Sequence, residues 1–408
     1  MQGENWENRN CHKERHFFQA FDKQTREGKG LALAIIGKEV EIDPTCPFEI
    51  RQYVPEQCGE LLKLEGKLWG GWTEGSILCY AHEKRTLSSV YTFDCDNIKI
   101  ENYRLINGSG MGISTNHSSN IYIDGLKLMH DELSNGIIAN AADAIHSIAC
   151  SGDFIIKNSI FEGMMDDALN VHGIFCQFDR KENNIMYLKM SSYCSGYLNI
   201  FGKGETVAVY NGPTMEETAR YTIKSVEILD KDNIKLEMFE EIKNHNNGDI
   251  VENISAQSNI TIKNCRFGKA NSHIRFQSRG KIVIEDTEIG LPVLLTGDAT
   301  YWFESSPVQD ITFKNVRYNT EKAQIRLMPE IMPTEKEPYY HKNIKLTNCE
   351  FITDTPITGG YTDNIVLENV SNSKSIPMKL VLTNCGDVIA DGFEIERHTE
   401  TKKELKVN

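Results

Sequence analysis

Nine segments of the chain repeat one alternation of apolar and polar positions. They read NIKIENYRL (97–105), NIYIDGLKL (120–128), DFIIKNSIF (153–161), NITIKNCRF (259–267), KIVIEDTEI (281–289), DITFKNVRY (310–318), NIKLTNCEF (343–351), NIVLENVSN (364–372) and DVIADGFEI (387–395). A period of two is the mark of a strand. Asn, Asp or Gly closes each run, and these residues tolerate the left-handed backbone of a turn. The second apolar positions are Ile100, Ile123, Ile156, Ile262, Ile284, Phe313, Leu346, Leu367 and Ala390. No single copy can bury its apolar side alone, whereas stacked copies bury one continuous column. The pattern predicts a parallel β-helix over 95–172 and 258–395.

One interval breaks the repeat. Phe154 and Ile260 are 106 residues apart, where one coil needs about 25. The excess lies at 174–257 and carries its own strand patterns: NIMYLKM (184–190), ETVAVYN (205–211), RYTIKSVEIL (220–229) and NIKLEMFEEI (233–242). Turn residues punctuate them, which predicts a small antiparallel barrel or sandwich. Four regions follow: 1–94, an N-terminal cap with first coils; 95–173, the first part of the β-helix; 174–257, the inserted barrel; and 258–408, the rest of the β-helix. HKERHFFQAFDKQTREGKG (12–30) reads as an amphipathic capping helix ending at a Gly, and KEVEIDPTCPFEIRQ (38–52) as strand-like.

Charge and cysteine content narrow the partners. The formal net charge is −14, with 40% hydrophobic and 25% charged residues. Nucleic acid and acidic membrane surfaces call for a basic patch and are not expected as partners. The 11 cysteines form no CxxC pair, and Cys265, Cys349 and Cys385 recur in one repeat context, so they read as a reused small buried hydrophobe in a reducing compartment. No apolar run has membrane-spanning length. The first residues lack the apolar stretch of a signal peptide, so a cytoplasmic location is expected, or a secreted or periplasmic one if a segment precedes them. A homo-oligomer is compatible with the chain.

The candidate chemistry sits in GMMDDALNVHG (163–173) and NAADAIHS (140–147). Asp143 precedes Asp166 by 23 residues and Asp167 by 24, about one coil. Stacked coils lie about 4.8 Å apart, so the three carboxylates should cluster. In a straight strand Asp166 and Asp167 would point to opposite faces, so a bend is expected, which Gly163 permits. Clustered carboxylates raise at least one pKa and so supply a protonated acid beside an ionised base, as glycoside hydrolysis requires. Asn170, His146 and His172 lie within the same motifs and are candidate substrate contacts. Each histidine also fits a purely structural turn.

Two further stretches fit a sugar site. LLTGDATYWFESSPVQD (294–310) places Trp302 beside Asp298 and Glu304, an aromatic platform with acids for hydroxyl groups. NSHIRFQSRG (271–280) offers Arg275 and Arg279, to hold a carboxylate or bind hydroxyls. No cluster has zinc-ligand spacing, and no metal or cofactor is expected. Calcium with an arginine base, the lyase arrangement on this architecture, stays open on the residues alone.

DDALNVHG, preceded one coil earlier by ADAIH and followed by RFQSRG and GDATYWFESSPVQD, resembles glycoside hydrolase family 110, the α-1,3-galactosidases that include blood-group-B-cleaving enzymes. The resemblance covers about Asp143 to Asp310. It implies an inverting exo-hydrolase on a right-handed parallel β-helix, without a metal, acting on an oligosaccharide or glycoconjugate. The same implied arrangement of three acids occurs in the polygalacturonase family. Carried over, it makes Asp166 the general acid and Asp143 and Asp167 the general bases. The rival readings are another β-helix carbohydrate enzyme (a polygalacturonase-like hydrolase, a lyase or an epimerase) and a non-catalytic carbohydrate-binding β-helix.

Overall fold

The computed structural model describes residues 88–400, apart from 131–135, 193, 195, 198, 269, 271–272 and 332–336, together with the backbone of five strands before residue 81. Among the described residues there is no helix, and hence none long and apolar enough to cross a membrane.

The chain divides into two compact units. In the first, Arg15–Phe21 pairs antiparallel with Gly28–Ile35 and with Ile77–Tyr80, and Ile50–Gln52 pairs with Leu62–Leu64. The capping helix expected over 12–30 is therefore corrected to two strands. Leu-Ala-Leu-Ala-Ile at 31–35 alternates with the period of a strand, and Phe17, Phe18 and Phe21 are strand formers. Most of the strand-like segment 38–52 lies outside the described residues.

The second unit is an all-β parallel β-helix with three parallel ladders. The repeat strands form the first: Asp96–Glu101, Ser119–Asp124, Ser151–Lys157, Ser258–Lys263, Lys281–Glu285, Asp310–Lys314, His341–Phe351, Thr362–Asn372 and Val388–Ala390. Ile100, Ile123, Ile156, Ile262, Ile284, Phe313, Leu346, Leu367 and Ala390 stand opposite one another in a single column. From Ile123 to Leu346 the column is completely buried, each side chain contributing about 1.5–3 kcal/mol. In the second ladder, aromatic rings stack from coil to coil: Phe161 on Phe267 at 4.6 Å and Tyr318 on Phe351 at 3.9 Å.

The turn residue of each repeat has a structural cause. Asn102, Gly125, Asn158, Asn264, Asp286, Asn315, Asn348, Asn369 and Gly392 all have φ between 49° and 83°, the left-handed region. The asparagine amides bond along the axis, Asn264 to Asn158 at 2.7 Å and Asn369 to Asn348 at 2.8 Å. Cys265 and Cys349 follow the corner as buried free thiols, filling the position that Thr287 fills on another coil.

The third ladder carries the site. It runs through Val90–Phe93, Ile113–Asn116, Ile145–Ile148, Leu169–Glu182, Ile274–Phe276, Val293–Gly297, Ile325–Pro329 and onward. Leu169–Glu182 begins in this ladder and then leaves it. Beyond Ile174 it pairs antiparallel with Ile185–Lys189 and Ile250–Asn253. Asn233–Met238, Glu217–Ile228 and Thr206–Tyr210 complete the ring, so six strands close into an antiparallel barrel. Phe175, Phe178, Met186, Leu188, Val207 and Leu236 lie in its core. The insertion leaves the solenoid intact, because Phe154 pairs directly with Ile260.

Candidate active site

Register decides which acids meet. His146 pairs with Asn170 and Ser147 with Val171, an offset that sets Asp143 beside Asp167. The Ala144 amide donates to the Asp167 carbonyl at 2.9 Å, and the Gly112 amide to the Asp143 carbonyl at 2.8 Å. Asn140, fully buried, ties the turn down by donating from Nδ2 to the carbonyls of Ala142 and Asp143 at 3.0 and 2.8 Å. The bend expected before Asp166 starts at Gly163, whose φ is 77°.

All three aspartates line one cleft of about 210 Å³, together with His146, Asn170, His172, Arg275, Trp302 and Glu304. Asp143 and Asp167 are buried and Asp166 is half-buried. Asp167 is paired from the next coil: Arg275 Nε lies 2.6 Å from Oδ2 and His273 Nδ1 3.4 Å from Oδ1. Among the described residues no arginine forms an ion pair with Asp143. Burial pushes its carboxyl up to about 6, against the opposing pull of His146, whose Nδ1 lies 3.1 Å from Oδ2; Asp166 and Asp167 add to the rise.

Glu304 arrives by a different route. The interruption at 294–310 folds back as the short strand Glu304–Ser305, antiparallel to Leu169–Glu182, with Ile174 opposite Glu304. Asn170 Nδ2 donates to one oxygen of Glu304 at 3.2 Å and Gln277 Nε2 to the other at 2.7 Å. Burial alone would raise this carboxyl, but His172, Arg275 and His146 outweigh it and hold it below the ordinary range.

Two expected contacts lie elsewhere. Asp298 does not line the cleft. Its carboxylate accepts from the backbone amides of Thr300, Tyr301 and Trp302, so it shapes the turn that carries Trp302 to the rim. Arg279, half-buried, pairs with the fully buried Glu252, Nη2 to Oε2 at 2.6 Å, beside Tyr210 and on a different cavity. The reason is strand geometry. Arg275 is the central residue of Ile274–Phe276, between two buried neighbours, whereas Arg279 lies past the strand end. Conversely, Gln277, His273, Met111, Cys194 and Tyr197 join the site without having been expected. Alternation from Arg275 points to Gln277. Cys194 and Tyr197 belong to an aperiodic loop of the barrel and gave no such signal.

Neither a thiol nucleophile nor a tetrahedral zinc fits the donor geometry. Burial pushes the Cys194 thiol up to about 12, so it stays protonated. His146, His172 and Glu304 each offer a ligand atom, all within 4.8 Å of one another. The two Nε2 atoms, however, are 2.8 Å apart. Two nitrogens on one tetrahedral zinc are about 3.3 Å apart, given bonds near 2.0–2.1 Å. The pair is a hydrogen bond.

The site is thus a carboxylate-lined cleft on the flank of a parallel β-helix, with one aromatic ring at its rim. No family model matches the chain. Curated relatives do. An α-1,3-galactosidase B of Bacteroides thetaiotaomicron is 26% identical over 299 residues, covering 69% of this chain and 49% of the relative. An α-1,3-galactosidase A of Bacteroides fragilis is 27% identical over 353 residues, 80% of this chain and 58% of the relative. One from Shewanella woodyi is 24% identical over 322 residues, 74% and 52%. The chain spans about half the length of the curated relatives it matches. It is a sequence relative of the α-1,3-galactosidases, which supports the family 110 assignment drawn from its motifs.

Proposed function

We propose that the protein is an exo-acting, inverting α-galactosidase that hydrolyses terminal α-1,3-linked galactose from glycans. The observation that carries the reading is the convergence of Asp143, Asp166 and Asp167 in one cleft with Trp302. Its volume of about 210 Å³ is below the roughly 300 Å³ at which pockets begin to enclose drug-sized ligands, which suits a single terminal sugar. Trp302, 47% exposed at the rim, offers a flat apolar face to the C–H side of the ring.

Asp166, the most exposed of the three acids, protonates the glycosidic oxygen. Asp143 and Asp167 hold and deprotonate the water that attacks the anomeric carbon from the opposite side. A uronate substrate is disfavoured, because the arginine lining the cleft, Arg275, is already paired with Asp167. The same pairing weighs against a lyase in which that arginine abstracts a proton.

The test is incubation with linear Gal-α1,3-Gal and with the blood-group-B trisaccharide, followed by proton NMR. β-Galactose should appear first. Release of α-galactose, or undiminished activity of Asp166→Asn on either glycan, would overturn the assignment.

A further inference from the structure

Behind Asp143 lies an arrangement of two buried histidines that the hydrolytic step itself does not call for. His146 Nε2 is 2.8 Å from His172 Nε2, and His172 Nδ1 is 2.7 Å from the carbonyl oxygen of Gly173. A carbonyl only accepts, so His172 Nδ1 carries a proton and donates it. Burial, the largest influence on His172, keeps that ring neutral, so its Nε2 is a bare lone pair. The 2.8 Å contact then requires that His146 Nε2 be the donor. On its other side, His146 Nδ1 faces the Asp143 carboxylate at 3.1 Å. His146 therefore donates at Nε2, while its Nδ1 stands at ion-pair distance from a carboxylate, and only the imidazolium form keeps the Nε2 proton and also sets a positive charge against Asp143.

We propose that His146 is held as an imidazolium between two acceptors, the Asp143 carboxylate and the Nε2 lone pair of His172, and that this charge keeps Asp143 ionised as a water-activating base. The proposal rests on the hydrolase reading for its catalytic half; the tautomers rest on the hydrogen-bond geometry and the burial of His172. His172 is a positioning residue that acts through His146.

The surroundings agree. Burial would lower the pKa of His146, yet Asp143, Glu304 and Asp167 raise it above the ordinary value. Further groups around the same cleft are Asp166, Arg275 from Ile274–Phe276 and Tyr197 from the barrel, whose ring centroid is 6.4 Å from that of His146. Arg275 is neutralised by Asp167, so it does not oppose a charge on His146. Without His146, burial and the two neighbouring aspartates would leave Asp143 still harder to ionise.

The experiment is nitrogen-15 NMR of the full chain labelled at histidine, with His146→Gln and His172→Gln spectra for assignment. At pH 7, His146 should show two protonated ring nitrogens, and His172 a protonated Nδ1 with a bare Nε2. A neutral His146, or a His172 protonated at Nε2, overturns the proposal whether or not the protein cleaves a glycan. Kinetics test the consequence. His172→Leu removes the acceptor and should lower kcat about 10-fold with little change in KM, moving the acidic limb of the pH profile upward by about half a unit or more. His172→Gln, whose amide oxygen can accept the same bond, should recover most of that loss. A change confined to KM would make His172 a sugar contact and overturn its positioning role. Absence of galactose release beside the expected spectrum would instead refute the hydrolase reading.

Discussion

Arg275 and Asp167 meet across neighbouring coils, Nε 2.6 Å from Oδ2, with the aspartate side chain only 5% exposed and the arginine 26%. Removing the arginine strands a buried carboxylate, which costs about 3 kcal/mol. Arg275→Gln should therefore lower the melting temperature and, on the proposed mechanism, reduce kcat about 100-fold, because the carboxylate would rotate away from the attacking water. Arg275→Lys should recover little of either, since a flexible ammonium does not reproduce the planar, delocalised guanidinium charge placed beside the carboxylate. Thermal melting beside steady-state kinetics checks both. A variant with a normal melt and normal kcat would show that the pair neither stabilises nor positions Asp167.

The origin of these partners explains what could be read in advance. The column from Ile100 to Ala390 and its corner residues repeat nine times, so pattern and turn chemistry agree at every coil. Asp143 and Asp167 inherit their meeting from that regularity, at an offset of one coil. Glu304 was visible only as an acid beside a tryptophan. Its place depends on a short antiparallel strand inside a break in the repeat. Tyr197 and Cys194 come from a loop of the inserted barrel, where no period exists to project from. Arg275 and Arg279 lie four residues apart in one motif, and only the end of Ile274–Phe276 separates their fates.

Asp298 and Trp302 should behave as one unit. The Asp298 carboxylate accepts from three successive backbone amides ending at Trp302, so Asp298→Ala releases the turn that presents the ring. Both Asp298→Ala and Trp302→Ala are expected to raise KM about 5- to 10-fold with kcat less affected, the signature of lost ground-state binding. Trp302, already 47% exposed, should cost little stability when truncated. If Asp298→Ala leaves KM unchanged while Trp302→Ala raises it, the turn does not depend on its cap.

Gly163 tests whether the bend before Asp166 is needed. Its φ is 77°, and a Cβ there would lie 2.7 Å from the Ile137 carbonyl oxygen and 2.9 Å from the Ala139 nitrogen. Gly163→Ala should cost about 1–3 kcal/mol and most of the activity, because the turn carrying Asp166 must shift. Gly204, with φ 86° and nothing within 4 Å of the corresponding Cβ, is the control. Gly204→Ala meets the backbone penalty without the clash and should lose less stability and no activity. Equal losses in both variants, measured by melting and turnover, would mean that crowding at Gly163 is irrelevant.

The last prediction concerns stability against pH. Burial raises the folded-state pKa of Asp143 from 3.8 to about 6, so the folded protein binds this proton more tightly than the unfolded chain does. The stability linked to Asp143 is then fully present below about pH 4 and is lost as pH rises through about 6. His146 acts in the same direction. Its raised pKa contributes stability below 6.5 that is lost as pH rises further. In Asp143→Asn the amide stands in for the protonated acid at every pH, and the support for His146 is gone, so both dependences disappear. The melting temperature of Asp143→Asn minus that of the wild type should therefore increase steadily from pH 4 to pH 7.5. A two-unit shift corresponds to on the order of 3 kcal/mol, or several degrees in melting temperature. On the proposed mechanism the variant should meanwhile be inactive, a gain in stability at the expense of function. A pH-independent difference between the two proteins would show that Asp143 titrates normally, and its burial would then have no bearing on how the base works.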